Sequence, residues 1–122
     1  MSIKNKEFKK YRLIQSLSHQ SRSGNKKNLC KVWKGTSREH FITICEIVYK
    51  LVNQGYECYT ECDIKGNRVD IAAISPTGEG FIIEVLKTEQ DASYEAKLDK
   101  YDLDWTMVKV NCKDFDINKW EL

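Results

Sequence analysis

The sequence has no apolar run approaching the roughly 18–20 residues that a membrane-spanning helix needs, which excludes a helical membrane protein. No apolar core follows the lysines at positions 4, 6, 9 and 10, so the N-terminal stretch is not expected to be a secretory signal. No Cys-x-x-Cys pair occurs among the five cysteines, Cys30, Cys45, Cys58, Cys62 and Cys112. The two histidines, His19 and His40, are not spaced to complete a zinc site with them. These thiols read as reduced side chains packed as small apolar groups, and the expected compartment is the reducing cytoplasm. There is no GxGxxG or phosphate-binding loop, since Gly66, Gly78 and Gly80 precede strands rather than helices. What remains is 122 residues, 41% apolar and 31% charged, enough for one compact domain and too few for two.

The net charge of +2 hides a strong asymmetry. Residues 1–38 carry eleven Lys and Arg against one acid, Glu7, a net +10. Residues 39–122 carry nine bases against seventeen acids, a net −8. A basic arm on an acidic domain is the electrostatic pattern of a chain that meets phosphates. The domain boundary is placed at residues 36 and 37: a basic arm over 1–36, partly helical or flexible, then a folded domain over 37–122. Within and beside the arm, Lys26, Lys27, Lys31, Trp33, Lys34 and Arg38 combine cations with one aromatic, a set suited to a nucleic-acid backbone and an unstacked base.

Periodicity organises the rest. Phe8, Tyr11, Leu13, Ile14 and Leu17 form the apolar side of a short helix over 5–17, followed by a polar Ser/Asn/Gly-rich stretch. Thr36 or Ser37 caps a second helix, in which Phe41, Ile44, Cys45, Val48, Leu51 and Val52 recur at helical spacing until Gly55. The period then changes to two. Strands are expected over 56–63, 68–74 and 81–86, separated by turns at 65–67 and 75–80. A helix over 90–101, with Tyr94, Leu98 and Tyr101 on one face, precedes a strand over 105–110. Phe115, Ile117, Trp120 and Leu122 form a tail that packs back. The fold class is α/β, with element order αβββαβ and a mixed central sheet flanked by helices.

Three carboxylates stand where this pattern would otherwise place something else. Asp70 interrupts Val69-Asp-Ile-Ala-Ala-Ile74, and Glu84 interrupts Phe81-Ile-Ile-Glu-Val-Leu86. A charge in a central strand costs several kcal/mol unless it is paired, solvated at a strand end, or bound to a metal. Two such acids on strands joined by one turn repel each other unless a divalent cation neutralises them. Two carboxylates completed by waters are what Mg²⁺ or Mn²⁺ takes. Glu46, on the second helix, is the candidate third acid.

These residues carry a family resemblance. A helix with Glu46, Gly55-Tyr56 entering a strand, Arg68-Val69-Asp70 and Ile83-Glu84-Val85 together resemble the PD-(D/E)XK nuclease superfamily. Within it, the likeness is to small archaeal Holliday junction resolvases and restriction-endonuclease-like proteins. The likeness spans residues 37–112 and leaves the basic arm outside. It implies a restriction-endonuclease-like core and a metal-dependent endonuclease that hydrolyses DNA phosphodiester bonds, although the motif does not itself separate DNA from RNA. It also implies that Asp70 and Glu84 ligate the metal and that Glu46 assists.

The family pattern places a lysine two residues after the second acid; here that position is Leu86 and the lysine is Lys87. Strand alternation points Lys87 away from Glu84. Either a one-residue bulge returns Lys87, or Lys97 reaches over from the next helix, or the lysine is lost and the domain is a degenerate module that binds nucleic acid or a protein partner. Enzymes that cut two strands commonly work as symmetric dimers, so a homodimer is a further expectation.

Overall fold

A computed structural model of the chain describes residues 3–15, 17–18, 27–32, 34–64, 66–87 and 105–122. The described elements are α1 (Ile3–Gln15), β1 (Leu17–Ser18), α2 (Arg38–Asn53), β2 (Glu57–Ile64), β3 (Asn67–Ile74), β4 (Gly80–Leu86) and β5 (Trp105–Asn111). The fold is mixed α/β. The five strands form one sheet in sequence order: β1 to β4 are antiparallel neighbours, and β4 pairs in parallel with β5. A parallel pair requires a long crossover. That connection, with the helix expected over 90–101 and with Lys97, lies outside the described residues, as do Lys26 and Trp33.

The near-continuous apolar run of β4 follows from its place. It has a strand on each side and a layer on each face. On one face α1 brings Leu13, 4% exposed, against Ile82, Trp105, Ala72 and Ile74. On the other, α2 lays Ile44, Ile47, Val48 and Leu51 against Ile71, Ala73, Ile83, Val85 and Val110. Ser37 caps α2, accepting a hydrogen bond from the His40 N–H at 3.4 Å. The tail closes over the α2 face: Phe115 and Trp120 pack there, and Lys50 donates to the carbonyls of Ile117 and Trp120. The five cysteines are free thiols, and Cys58 and Cys62 are fully buried.

The described parts of the basic arm are fastened to the sheet. Beyond the two residues of β1, segment 27–32 takes over beside β2. Asn28, in the left-handed region at φ 60°, donates its N–H to the Cys58 carbonyl at 2.6 Å, and its side chain accepts from the Cys58 N–H at 2.9 Å. Thr60 donates to the Leu29 carbonyl at 2.6 Å. Glu57 forms ion pairs with Lys10 at 2.6 Å and Lys27 at 3.5 Å. The two Asn28 bonds satisfy backbone groups of Cys58 that would otherwise face outward from the strand edge.

Candidate metal centre

A single irregularity in the sheet builds the site. β2 and β3 pair from Glu57↔Ile74 to Ile64↔Asn67, and the one pair missing from that register is Glu61 with Asp70. Glu61 sits at φ 50°, a conformation that costs a residue with a Cβ about 1–3 kcal/mol. Side-chain faces change over at the same point. Tyr59, Cys62 and Ile64 share the α1 face, as do Val69, Ala72 and Ile74. From Tyr59 to Cys62 and from Val69 to Ala72 the interval is three, which strict alternation forbids. Each strand therefore puts two successive residues on the α2 side, and Glu61 and Asp70 both turn towards α2.

The helix supplies the third group. His40 lies one, two and three turns before Ile44, Ile47 and Leu51, on the stripe that faces the sheet. Its Nε2 lies 3.4 Å from Oδ2 of Asp70. One ligand atom each from His40, Glu61 and Asp70 lie within 4.8 Å of one another. The Asp70 carboxylate is oriented by the Val85 backbone N–H, which donates to Oδ2 at 2.8 Å. The side chains of His40 and Asp70 keep 15% and 16% of their surface exposed, so solvent reaches the cluster.

Cations surround these acids. Arg68 Nε is 3.8 Å from Glu61 Oε2. Burial raises the Glu61 pKa, and the Asp70 charge raises it further, while Arg68, His40 and Lys31 oppose the shift. The hydrogen bond with Asp70 raises the His40 pKa against the effects of burial and of the Lys87 charge. Lys31, on the arm segment fastened along β2, and Lys87, at the end of β4, thus act on the cluster through their charge.

The structure separates the residues that the sequence grouped. Asp70 is at the centre of the cluster. Glu84 is buried but follows the alternation of Ile82, on the α1 face, where the β4–β5 register sets it beside Lys109. Asp70 and Glu84 thus stand on adjacent strands, one step beyond the Ile71↔Ile83 pair, with side chains on opposite faces, and they do not form a pair. Glu46 lies off the sheet-facing stripe and lines a groove of about 780 Å³ with Ile42, Tyr49 and Ile117. Alternation from Ile83 and Val85 carries Lys87, just past the end of β4, to the side of Asp70, and its charge acts on His40 there. Lys27, Lys34 and Arg38 are exposed. Glu61 escaped the sequence reading because Cys58, Thr60 and Cys62 suggest regular alternation; only the break in the ladder turns it.

Compared with family models, curated proteins and solved structures, the chain matches none.

Proposed function

We infer that the protein is a metal-dependent endonuclease of the PD-(D/E)XK kind, acting on DNA through a restriction-endonuclease-like core. The observation that supports this reading most is the convergence of Glu61 and Asp70 beside His40, with Lys31, Arg68 and Lys87 around them. Carboxylates ringed by cations suit a phosphodiester, which brings negative charge and needs more of it stabilised during hydrolysis. Glu61 and Asp70 would hold a divalent cation, which would supply Lewis-acid polarisation of the phosphate and a lowered pKa for the attacking water.

The protein's own groups do the rest. Val85 holds the Asp70 carboxylate in place through its N–H. Lys87, on the same face, offsets the charge that grows on the phosphate. Arg68 and Lys31 receive the flanking backbone, and Lys27, Lys34 and Arg38 extend that track without reading sequence. In motif terms Asp70 is the first acid and Lys87 the lysine. Val85 then occupies the second acid's place, and Glu61 supplies that carboxylate from the adjacent strand.

The test is a nicking and cleavage assay on supercoiled plasmid, single strands and a four-way junction, with Mg²⁺, Mn²⁺ or EDTA. The reading expects metal-dependent cutting that is lost in Asp70→Ala and Glu61→Ala and kept in Glu46→Ala. A folded protein that shifts these DNAs but cuts none of them with any metal overturns it in favour of a binding module.

A further inference from the structure

We propose that His40 is itself a ligand of the cation at Glu61 and Asp70, and that the centre therefore selects Mn²⁺ over Mg²⁺. This rests on reading the cluster as a cation site, and it adds the identity of the ion. Mg²⁺ takes oxygen ligands in a near-ideal octahedron and keeps much of its water. An imidazole nitrogen among two carboxylates is a mixed donor set, which favours first-row transition dications in the order of their nitrogen affinity. No thiol joins the set: Cys62 follows Glu61 in sequence but turns to the opposite face and is fully buried. Softer ions that depend on sulfur ligands are therefore not the match.

The spacing agrees. A charge-assisted N–H···O hydrogen bond between imidazolium and carboxylate runs to about 2.7–2.9 Å. The 3.4 Å between His40 Nε2 and Asp70 Oδ2 exceeds that. Two donors each about 2.1 Å from one ion stand roughly 3.0–3.5 Å apart at octahedral to tetrahedral angles. The His40–Asp70 pair meets this measure, and the Glu61 ligand atom lies within 4.8 Å of both. The ring is also placed without the ion: the Ser37 cap fixes where α2 begins, and Ile44, Ile47 and Leu51 anchor the stripe to which His40 belongs. The Val85 amide orients the Asp70 carboxylate in the manner of an outer-shell partner.

The experiment is a Mn²⁺ titration of the full chain followed by the electron paramagnetic resonance signal of the free ion. Mg²⁺ competition follows, and then pulsed measurement of the bound ion. The expected result is one tightly bound Mn²⁺, at least about tenfold tighter than Mg²⁺, with modulation from one directly coordinated nitrogen. His40→Ala is expected to abolish that modulation and weaken Mn²⁺ binding by about 10- to 100-fold, as loss of even an outer-shell partner does, with Mg²⁺ binding little changed. The wild-type nitrogen signal needs no variant, so a poorly folding His40→Ala leaves the test decisive. Bound Mn²⁺ without nitrogen modulation, equal affinity for Mg²⁺, or no bound Mn²⁺ overturns the proposal. Nitrogen-coordinated Mn²⁺ in a protein that cuts no nucleic acid upholds it and removes only the nuclease reading. Mg²⁺-driven cutting beside a nitrogen-free Mn²⁺ signal does the reverse.

Discussion

The Val85 backbone N–H donates to Oδ2 of Asp70 at 2.8 Å, so a side chain takes up a backbone donor where the β3–β4 ladder stops. That ladder runs from Ile74↔Gly80 to Ile71↔Ile83 and ends one residue short of Asp70. The carboxylate closes the gap and is held by it. On the proposed function, structural and chemical duties meet in this one residue, and substitution can separate them.

Asp70→Ala removes the acceptor and leaves the N–H of buried Val85 without its partner, which is expected to cost about 1–3 kcal/mol. Asp70→Asn keeps a carbonyl oxygen for that N–H and is expected to stay within about 1 kcal/mol of the parent, while losing cutting as completely as Asp70→Ala. Urea denaturation beside the plasmid nicking assay measures both. A destabilised Asp70→Asn would mean that the negative charge, rather than the acceptor, holds β3 to β4.

Lys87 lies just past β4 and is exposed, so Lys87→Ala is expected to leave stability within about 0.5 kcal/mol. Its ammonium acts on His40 across the cluster. If it also stabilises charge on the phosphate, its loss lowers cleavage by about 10²- to 10³-fold, the usual effect of removing one such group. Lys87→Arg keeps the charge and is expected to recover part of the rate. Single-turnover cleavage rates at saturating metal make the comparison.

The legible part of this fold was whatever periodicity encodes. The span of α2, a cap at Thr36 or Ser37 that is Ser37 in the structure, and strands β2 to β5 follow within a residue or two from the change of period between 54 and 56. Asp70 was legible as well, because a carboxylate inside Val69-Asp-Ile-Ala-Ala-Ile74 contradicts its surroundings. The partner was not. Glu84 contradicts its strand just as strongly, yet alternation carries it to the α1 face. Glu61 looks ordinary in Tyr59-Thr-Glu-Cys62, and a left-handed φ at a non-glycine leaves no mark in composition. His40 sat in the first turn of α2, ahead of the apolar positions used to define the helix, so its place on their stripe was easy to miss. A paired break in two strands is a tertiary event, and single-strand patterns do not contain it.

Gly80 is a packing requirement rather than a turn requirement. A Cβ there would stand 2.8 Å from Trp105 Cε3 and 2.9 Å from Leu13 Cδ2. The α1 layer thus approaches β4 and β5 through the missing side chain. Gly80→Ala is expected to destabilise by about 1–3 kcal/mol through overpacking. Leu13→Ala alone leaves a cavity and costs about 2–5 kcal/mol. The double variant is expected to cost less than the two together by about 0.5–3 kcal/mol, because the new methyl enters the vacated space. Denaturant midpoints of the four proteins give the coupling, and strict additivity would show that Trp105 alone sets the limit.

The cluster also predicts how stability varies with pH in the absence of metal. Glu61 has a folded-state pKa above its ordinary 4.5, because burial and then Asp70 penalise its charge. The folded state then holds the proton more tightly than the unfolded chain, so stability falls as pH rises from about 4.5 through the raised value. His40 is raised above 6.5, first by its hydrogen bond with Asp70. Its contribution is full below pH 6.5 and is lost as pH rises through the raised value. Both slopes have the same sign, opposite to that of ordinary ion-paired carboxylates. Glu61→Gln is therefore expected to match the parent near pH 4, to gain on it as pH rises through the raised value, and to hold that lead above it. His40→Gln is expected to trail the parent below pH 6 and to draw level at alkaline pH. Thermal melts of the three proteins from pH 4 to 9 with chelator present, taken as differences so that other titrating groups cancel, measure both trends. A Glu61→Gln curve parallel to the parent would show that Arg68 and Lys31 already neutralise that carboxylate.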